Sequence, residues 1–239
     1  MNGTINKLKI SSFNCEVYLP ASYNFSDNNY QVVYVNGEGN ISELIGKIEP
    51  HFDYNCQPFI LIGIEPQNWN SDFTPWPAPA LTKKTEAFKG EADNYLHKLI
   101  YEIKPFIDEN YRTKEEPNNT ALVGYSLAGL VAVYAMYKTS VFGKIASIST
   151  SMWYDGFIEF LKKNKPVSNE TKVYMSLGKS EEKSRNQRMA MVGDCTRRAF
   201  DILKNQLSVK ASLTLQWNNG GHFTDIPERF EKALVWLMR

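Results

Sequence analysis

The sequence predicts an α/β fold: a mostly parallel central sheet with helices on both faces, no separate lid domain, and one domain over residues 1–239. Three observations predict it. Several short runs are apolar at their centre rather than alternating, as strands covered on both faces require. These runs alternate with longer stretches whose apolar residues recur at helical spacing, the signature of strand–helix–strand crossovers. The composition, 43% hydrophobic and 22% charged over 239 residues, is long and apolar enough for one large core.

Asn6 to Pro20 mixes polar residues with Ile10, Phe13, Val17, Tyr18 and Leu19, which predicts one or two partly exposed strands at a sheet edge, closed by Pro20. Residues 21–30 are rich in Ser, Asn and Asp and form a loop. Gln31 to Asn36 is the next strand, and it runs into Gly37-Glu38-Gly39, whose glycines permit a sharp turn with exposed N–H groups. A short helix from Ile41 to Ile48 is stopped by Pro50, and Pro58 to Ile64 is a buried strand. Residues 65–81 carry Pro66, Pro75, Pro77 and Pro79 and are expected to hold no regular element. Trp69, Phe73 and Trp76 in that segment must pack on the core rim or on a ligand.

Thr85 to Tyr111 reads as a long amphipathic helix through Leu96, Ile100, Ile103 and Ile107, kinked or broken at Pro105. Strand Thr120 to Gly124 and a buried helix Leu127 to Lys138 follow. Lys144 to Ser149 is a strand, Phe157 to Leu161 a short helix, and Lys172 to Leu177 a strand ending at Gly178. Asn186 to Leu207 reads as a helix, Ala211 to Trp217 as the last strand, residues 218–223 as its loop, and Ile226 to Met238 as the closing helix.

Composition also excludes partners. The 27 basic and 26 acidic residues are interspersed and give a net charge of +1, so neither nucleic acid nor a membrane surface is indicated as a partner. Cys15, Cys56 and Cys195 are odd in number and far apart, against a disulfide framework or a zinc site and in favour of a reducing compartment. The N-terminal residues lack a signal-peptide core, and no window approaches the about 18 apolar residues that cross a bilayer. A cytoplasmic protein with no metal or organic cofactor is the expectation.

The chemistry centres on Gly124-Tyr-Ser-Leu-Ala-Gly129, where an apolar strand turns sharply into a helix with Ser126 at the apex. Such a turn projects Oγ outward and leaves N–H groups at the helix start free to stabilise negative charge. Ser126 as a simple helix N-cap is the competing reading. In a parallel sheet, ligands bind beyond the carboxyl ends of the strands. The residues expected there are Glu38, Ser126, Glu181 or Glu182, and His222, with His222 following Ser126 by 96 residues. Serine needs a base to remove its proton, imidazole can take and return it, and a carboxylate fixes the imidazole tautomer. Glu181 is the favoured acid, Glu182 the next and Asp194 the third; KSEEKSR also reads as a solvated run, and a Ser-His pair with no acid is the alternative. The N–H groups of Leu127 and Glu38 are expected to form an oxyanion hole, where one donor contributes about 3 kcal/mol. His51 lies in a loop after Pro50 and His97 within the long helix, so neither shares the strand-end position of His222.

With these residues in view, the chain resembles the esterase family of α/β-hydrolases that includes esterase D, the trilactone siderophore esterases and the mycolyltransferases. The resemblance spans nearly the whole chain. It rests on Val32 to Gly37, Asp72-Phe-Thr-Pro-Trp76, Phe88 to Asp93, Gly124 to Gly129, Ser151-Met-Trp-Tyr154 and Gly220-Gly-His222. It implies the α/β-hydrolase fold, Ser126 as nucleophile, His222 as base and an acid from the segment after Gly178. The chain departs from the family pattern at Ala128, usually Gly, and at Asn36, usually Asp. Trp76, Trp153 and Tyr154 either wall a pocket for a small-molecule ester or pack the core beneath the proline-rich segment. The expected activity is serine esterase chemistry through an acyl-enzyme, with a siderophore trilactone the specific candidate and Arg188 and Lys83 the sources of local positive charge. A short-acyl carboxylesterase or thioesterase, and a non-catalytic hydrolase-like binder, are the alternatives.

Overall fold

Unbroken runs of Val, Ile, Leu and Phe build the centre of the molecule, because a strand covered on both faces can present no polar side. The computed structural model describes residues 1–208 and 213–239. Its strands are β1 (Thr4–Ile10), β2 (Phe13–Leu19), β3 (Gln31–Asn36), β4 (Phe59–Ile64), β5 (Thr120–Tyr125), β6 (Lys144–Ile148), β7 (Lys172–Gly178) and β8 (Leu213–Asn218). They form one eight-stranded sheet in the order β1-β2-β4-β3-β5-β6-β7-β8. β2 runs antiparallel to β1 and β4, and every other pairing is parallel.

Successive residues of each strand serve opposite faces. Val33, Leu61 and Val123 pack beneath α1 (Ser42–Ile48) and α9 (Ile226–Leu237), against Ile45, Phe230 and Leu234. Val32, Ile60 and Leu122 face the other layer, to which Tyr95, Leu130, Phe157 and Leu203 contribute. That layer holds α2 (Trp69–Asp72), α3 (Ala92–Lys98), α4 (Lys104–Asn110), α5 (Leu127–Ala135), α6 (Phe157–Lys163), α7 (Gln187–Ala190) and α8 (Val192–Gln206). No helix among the described residues is long and apolar enough to cross a membrane.

Three expectations need correction. Residues 65–81 do contain a regular element: α2 forms one turn between Pro66 and Pro75, capped by Asn68 Oδ1, which accepts from Ser71 N–H at 2.9 Å. The long helix begins at Ala92, not Thr85, because Phe88 exchanges backbone hydrogen bonds with Ala78 and Gly90 adopts φ +77°. The interruption expected at Pro105 takes the form of a π-helical turn, Leu99–Ile103, between α3 and α4, which opens the ladder just before the proline and relieves the clash its ring would make one turn back. The helix after Asn186 is split at Met191 into α7 and α8. Ala211, the expected start of the last strand, lies outside the described residues.

The turn into α5 leaves almost no room. A Cβ on Gly124 would stand 2.2 Å from the Ala128 carbonyl oxygen, whereas one on Gly46 in α1 would meet nothing within 4 Å. Gly124→Ala should therefore destabilise the fold by about 1–3 kcal/mol through overpacking. Gly46→Ala should stabilise it by about 0.5–1 kcal/mol by restricting the unfolded chain. Urea denaturation midpoints of the two variants check the opposite signs.

Candidate active site

Parallel pairing from β3 to β8 delivers five turns to one sheet edge: Gly37 and Glu38 after β3, Ser126 after β5, Ser149 to Ser151 after β6, Glu181 after β7 and His222 after β8. Ser126 sits at φ 59°, ψ −121°, outside the conformations L residues prefer, and makes no side-chain cap to its own helix. The N-cap reading therefore does not describe it. Its Oγ lies 3.1 Å from His222 Nε2 and 3.2 Å from Ser151 Oγ. His222 Nδ1 lies 2.7 Å from Glu181 Oε2.

Of the three acid candidates, the structure brings only Glu181 to His222. Glu182 pairs instead with Arg197 at 3.1 Å, and the exposed Asp194 pairs with the same guanidinium at 3.0 Å. A short 3-10 turn, Glu181–Lys183, folds the Glu181 carboxylate back so that Oε1 accepts the Gly178 N–H at 2.7 Å. Burial pushes the Glu181 carboxyl up, but hydrogen bonds from His222 and the Gly178 N–H outweigh it and hold the group below the usual glutamate value. An ionised carboxylate can only accept, so Nδ1 carries the shared proton and Nε2 presents a lone pair toward Ser126 Oγ. The arrangement can pass a proton from the hydroxyl to the ring. Tyr125 adds a further tie, its phenol donating to the His222 carbonyl.

The Leu127 and Glu38 N–H groups have no hydrogen-bond partner among the described residues, and both residues line the same cavity as Ser126. Gly37 permits the approach: it adopts φ +90°, and a Cβ there would stand 2.6 Å from the Trp69 ring. Ala128 fits because its Cβ faces this glycine. Asn36 is buried beneath the turn and accepts from Tyr95 OH at 2.6 Å through Oδ1.

The cavity measures about 700 Å³ and is walled by Trp69, Phe88, Trp153, Met189, Val192 and Phe223. Trp153 lies where a pocket wall was expected, whereas Trp76 and Tyr154 do not line the cavity. Trp76 donates through Nε1 to the Asp155 carbonyl and packs among Tyr134, Phe157 and Phe160. The Tyr154 phenol donates to the Trp76 carbonyl, so both rings serve the core under the proline-rich segment. Arg188 is likewise committed: it holds Asp155 through two nitrogens and the Pro79 carbonyl at 2.8 Å.

Sequence reasoning left Trp69 open between core rim and ligand, and the structure places it in the wall; Phe88 as a wall and, most of all, Arg229 were missed. This arginine is 1% exposed and its NH1 lies 2.9 Å from Glu181 Oε1. A signal existed, since Arg229 interrupts the apolar stripe Ile226, Phe230, Ala233, Leu237 of an amphipathic helix, where a charge requires a buried partner.

Glu38 gives a prediction. Burial, aided by the Glu43 charge, pushes its carboxyl up to about 7. An acid whose folded value is raised destabilises the fold as it ionises, so this loss grows as pH rises from about 4.5 to about 7. Glu38→Gln should therefore gain thermal stability relative to wild type over that window and show a constant difference above it, measured as Tm against pH.

The family described as "Putative esterase" matches residues 10–212. The uncharacterized protein YbbA of Bacillus subtilis (strain 168) is 31% identical over 99% of this chain and 97% of its own. An IroE-like serine hydrolase from Shewanella oneidensis superposes with a TM-score of 0.81 at 20% identity, over 99% of this chain and 80% of that one. The siderophore hydrolase EstA from Aspergillus nidulans does so with a TM-score of 0.74 at 18% identity, over 99% and 94%. The chain belongs to this esterase family and has its α/β-hydrolase fold.

Proposed function

We propose that the chain, acting as a single domain in the cytoplasm, is a serine esterase that hydrolyses a carboxylic ester through an acyl-enzyme. The observation that carries this reading is the continuous relay from Ser126 Oγ through His222 to Glu181, at 3.1 and 2.7 Å, built on a strained turn at the cavity floor. In the first half-reaction Oγ attacks the ester carbonyl as its proton passes to His222 Nε2. The oxyanion is held by the N–H groups of Leu127 and Glu38, and the imidazolium returns the proton to the departing alkoxide. Water then attacks the acyl carbonyl as Nε2 takes its proton, and Nε2 returns that proton to Ser126 Oγ as the Oγ–acyl bond breaks, which leaves the carboxylic acid and free serine.

The substrate we favour is a siderophore trilactone. The cavity of about 700 Å³ suits a bulky ester better than an acetyl group, and its aromatic walls suit flat rings. The siderophore hydrolase EstA shares the fold along nearly the whole chain. Arg188, engaged by Asp155 and Pro79, is not free to bind an anionic ligand, which leaves rim residues such as Lys183 for that purpose.

Fluorophosphonate labelling and p-nitrophenyl acetate turnover test the reading. Ser126→Ala should lose both. Glu181→Gln should lower kcat by about 10²–10⁴-fold, and Glu182→Gln should stay within about threefold of wild type. Labelling or turnover that survives Ser126→Ala sinks the proposal.

A further inference from the structure

The loop after β8 has a geometric problem to solve. His222 follows the edge strand, yet its ring must meet Ser126 at the end of β5, three strands away or about 14 Å across the sheet edge. Gly220 at φ +81° starts the reversal, but a turn alone does not hold a loop in place against solvent.

One buried side chain reaches every segment involved. Arg229 rises from α9 beneath the sheet edge, and its NH2 donates to the carbonyls of Asn219 at 3.1 Å and Gly221 at 2.8 Å. Its NH1 donates to Glu181 Oε1 at 2.9 Å, Ser149 Oγ at 2.5 Å and Tyr125 OH at 3.3 Å. Tyr125 immediately precedes Ser126, and Gly221 immediately precedes His222. Arg229 does not line the cavity, so it can influence chemistry only through these neighbours. Packing does not call for it: a buried ion pair contributes little to stability compared with apolar residues of similar volume. What a guanidinium supplies, and an apolar side chain cannot, is a rigid fork of donors set at fixed angles.

We propose that Arg229 is a positioning residue of the catalytic relay, an inference that rests on the triad reading above. By holding Oε1 it turns the Glu181 carboxylate so that Oε2 faces His222 Nδ1. By holding the Asn219 and Gly221 carbonyls it draws the His222 loop back over the ends of β7 and β6 toward Ser126. It therefore couples the orientation of the acid to the placement of the base.

The test is a double-mutant cycle on kcat and KM for p-nitrophenyl acetate, with circular dichroism to establish folding. Arg229→Met should lower kcat about a hundredfold with KM within about threefold, because misplacement by about an ångström has that effect on rate. Arg229→Lys should recover about tenfold of the loss. The acidic limb of the pH–rate profile should move upward in Arg229→Met. Glu181 then loses the cation that stands 2.9 Å from Oε1 and keeps His222, the Gly178 N–H, Ser149 and the Tyr125 phenol around its charge. Glu181→Gln/Arg229→Met should be slower than Glu181→Gln alone, but by well under the hundredfold seen in the wild-type background, because the hold on Oε1 no longer counts while the hold on the Asn219 and Gly221 carbonyls still does. A folded Arg229→Met with kcat within threefold of wild type, or losses that multiply in the double variant, overturns the proposal. If Arg229→Met does not fold, Glu181→Gln against Glu181→Gln/Arg229→Lys replaces it: a further fall well short of the tenfold that Arg229→Lys causes in the wild-type background supports the proposal, and a full tenfold fall overturns it. Impaired Glu181→Gln with unimpaired Arg229→Met overturns this inference alone, whereas full turnover by Glu181→Gln overturns the triad reading with it.

Discussion

The backbone of Ser126 is the constraint on which the rest of the site depends. A non-glycine residue at φ 59°, ψ −121° stands in a sparsely populated region that costs on the order of 1–3 kcal/mol. It persists because its surroundings over-determine it. The Ser126 N–H donates to the Ile148 carbonyl at 3.0 Å, while the Ser126 carbonyl accepts from Leu130 at 3.2 Å and from Ser151 at 3.2 Å. Gly124 and Gly129 allow strand and helix to approach more closely than any side chain permits: a Cβ on Gly129 would fall 2.2 Å from Thr150 Oγ1. All nine residues of α5 are buried, so the helix cannot shift to relax the turn. The hydroxyl is thereby held above the sheet edge rather than bonded to its own helix.

Charge is managed around that fixed point. His222 is about one-fifth exposed at its side chain, whereas Glu181 and Arg229 are almost wholly buried, so the polar groups meet water only at the cavity end. The Glu181 carboxylate divides its two oxygens: Oε1 takes the Gly178 N–H and Arg229, and Oε2 takes His222. A buried carboxylate with all its partners in place is held both ionised and in one orientation. The cavity beside it is apolar on most sides, which strengthens any hydrogen bond aimed at charge that develops during a reaction.

Much of this was legible in the sequence, for stated physical reasons. The apolar runs at Val32, Ile60, Ala121, Ile145 and Val173 became central strands because only a doubly covered strand is apolar on consecutive residues. The chain order of Ser126, Glu181 and His222 indicated which strand ends would carry them; that their side chains touch is a property of the folded chain. The segment before Ala92 was misread because helical periodicity is local, whereas the pairing of Phe88 with Ala78 is a tertiary contact that overrides it. Trp76 and Tyr154 were ambiguous because an aromatic ring near a cavity and one beneath it have the same composition. Arg229 was visible as a charge on an apolar stripe, but nothing in its neighbours along the chain identifies Glu181 as its partner.

In the proposed reaction Ser126 carries the acyl group during turnover. The direct measurement is peptide-level mass spectrometry of the enzyme acid-quenched during hydrolysis of a slowly released, bulky aryl ester. An increment equal to the acyl group is expected on the peptide containing Ser126, formed at the rate of the product burst and absent in Ser126→Ala. A product burst with no adduct on that peptide, or with the acyl group on another residue, would contradict it.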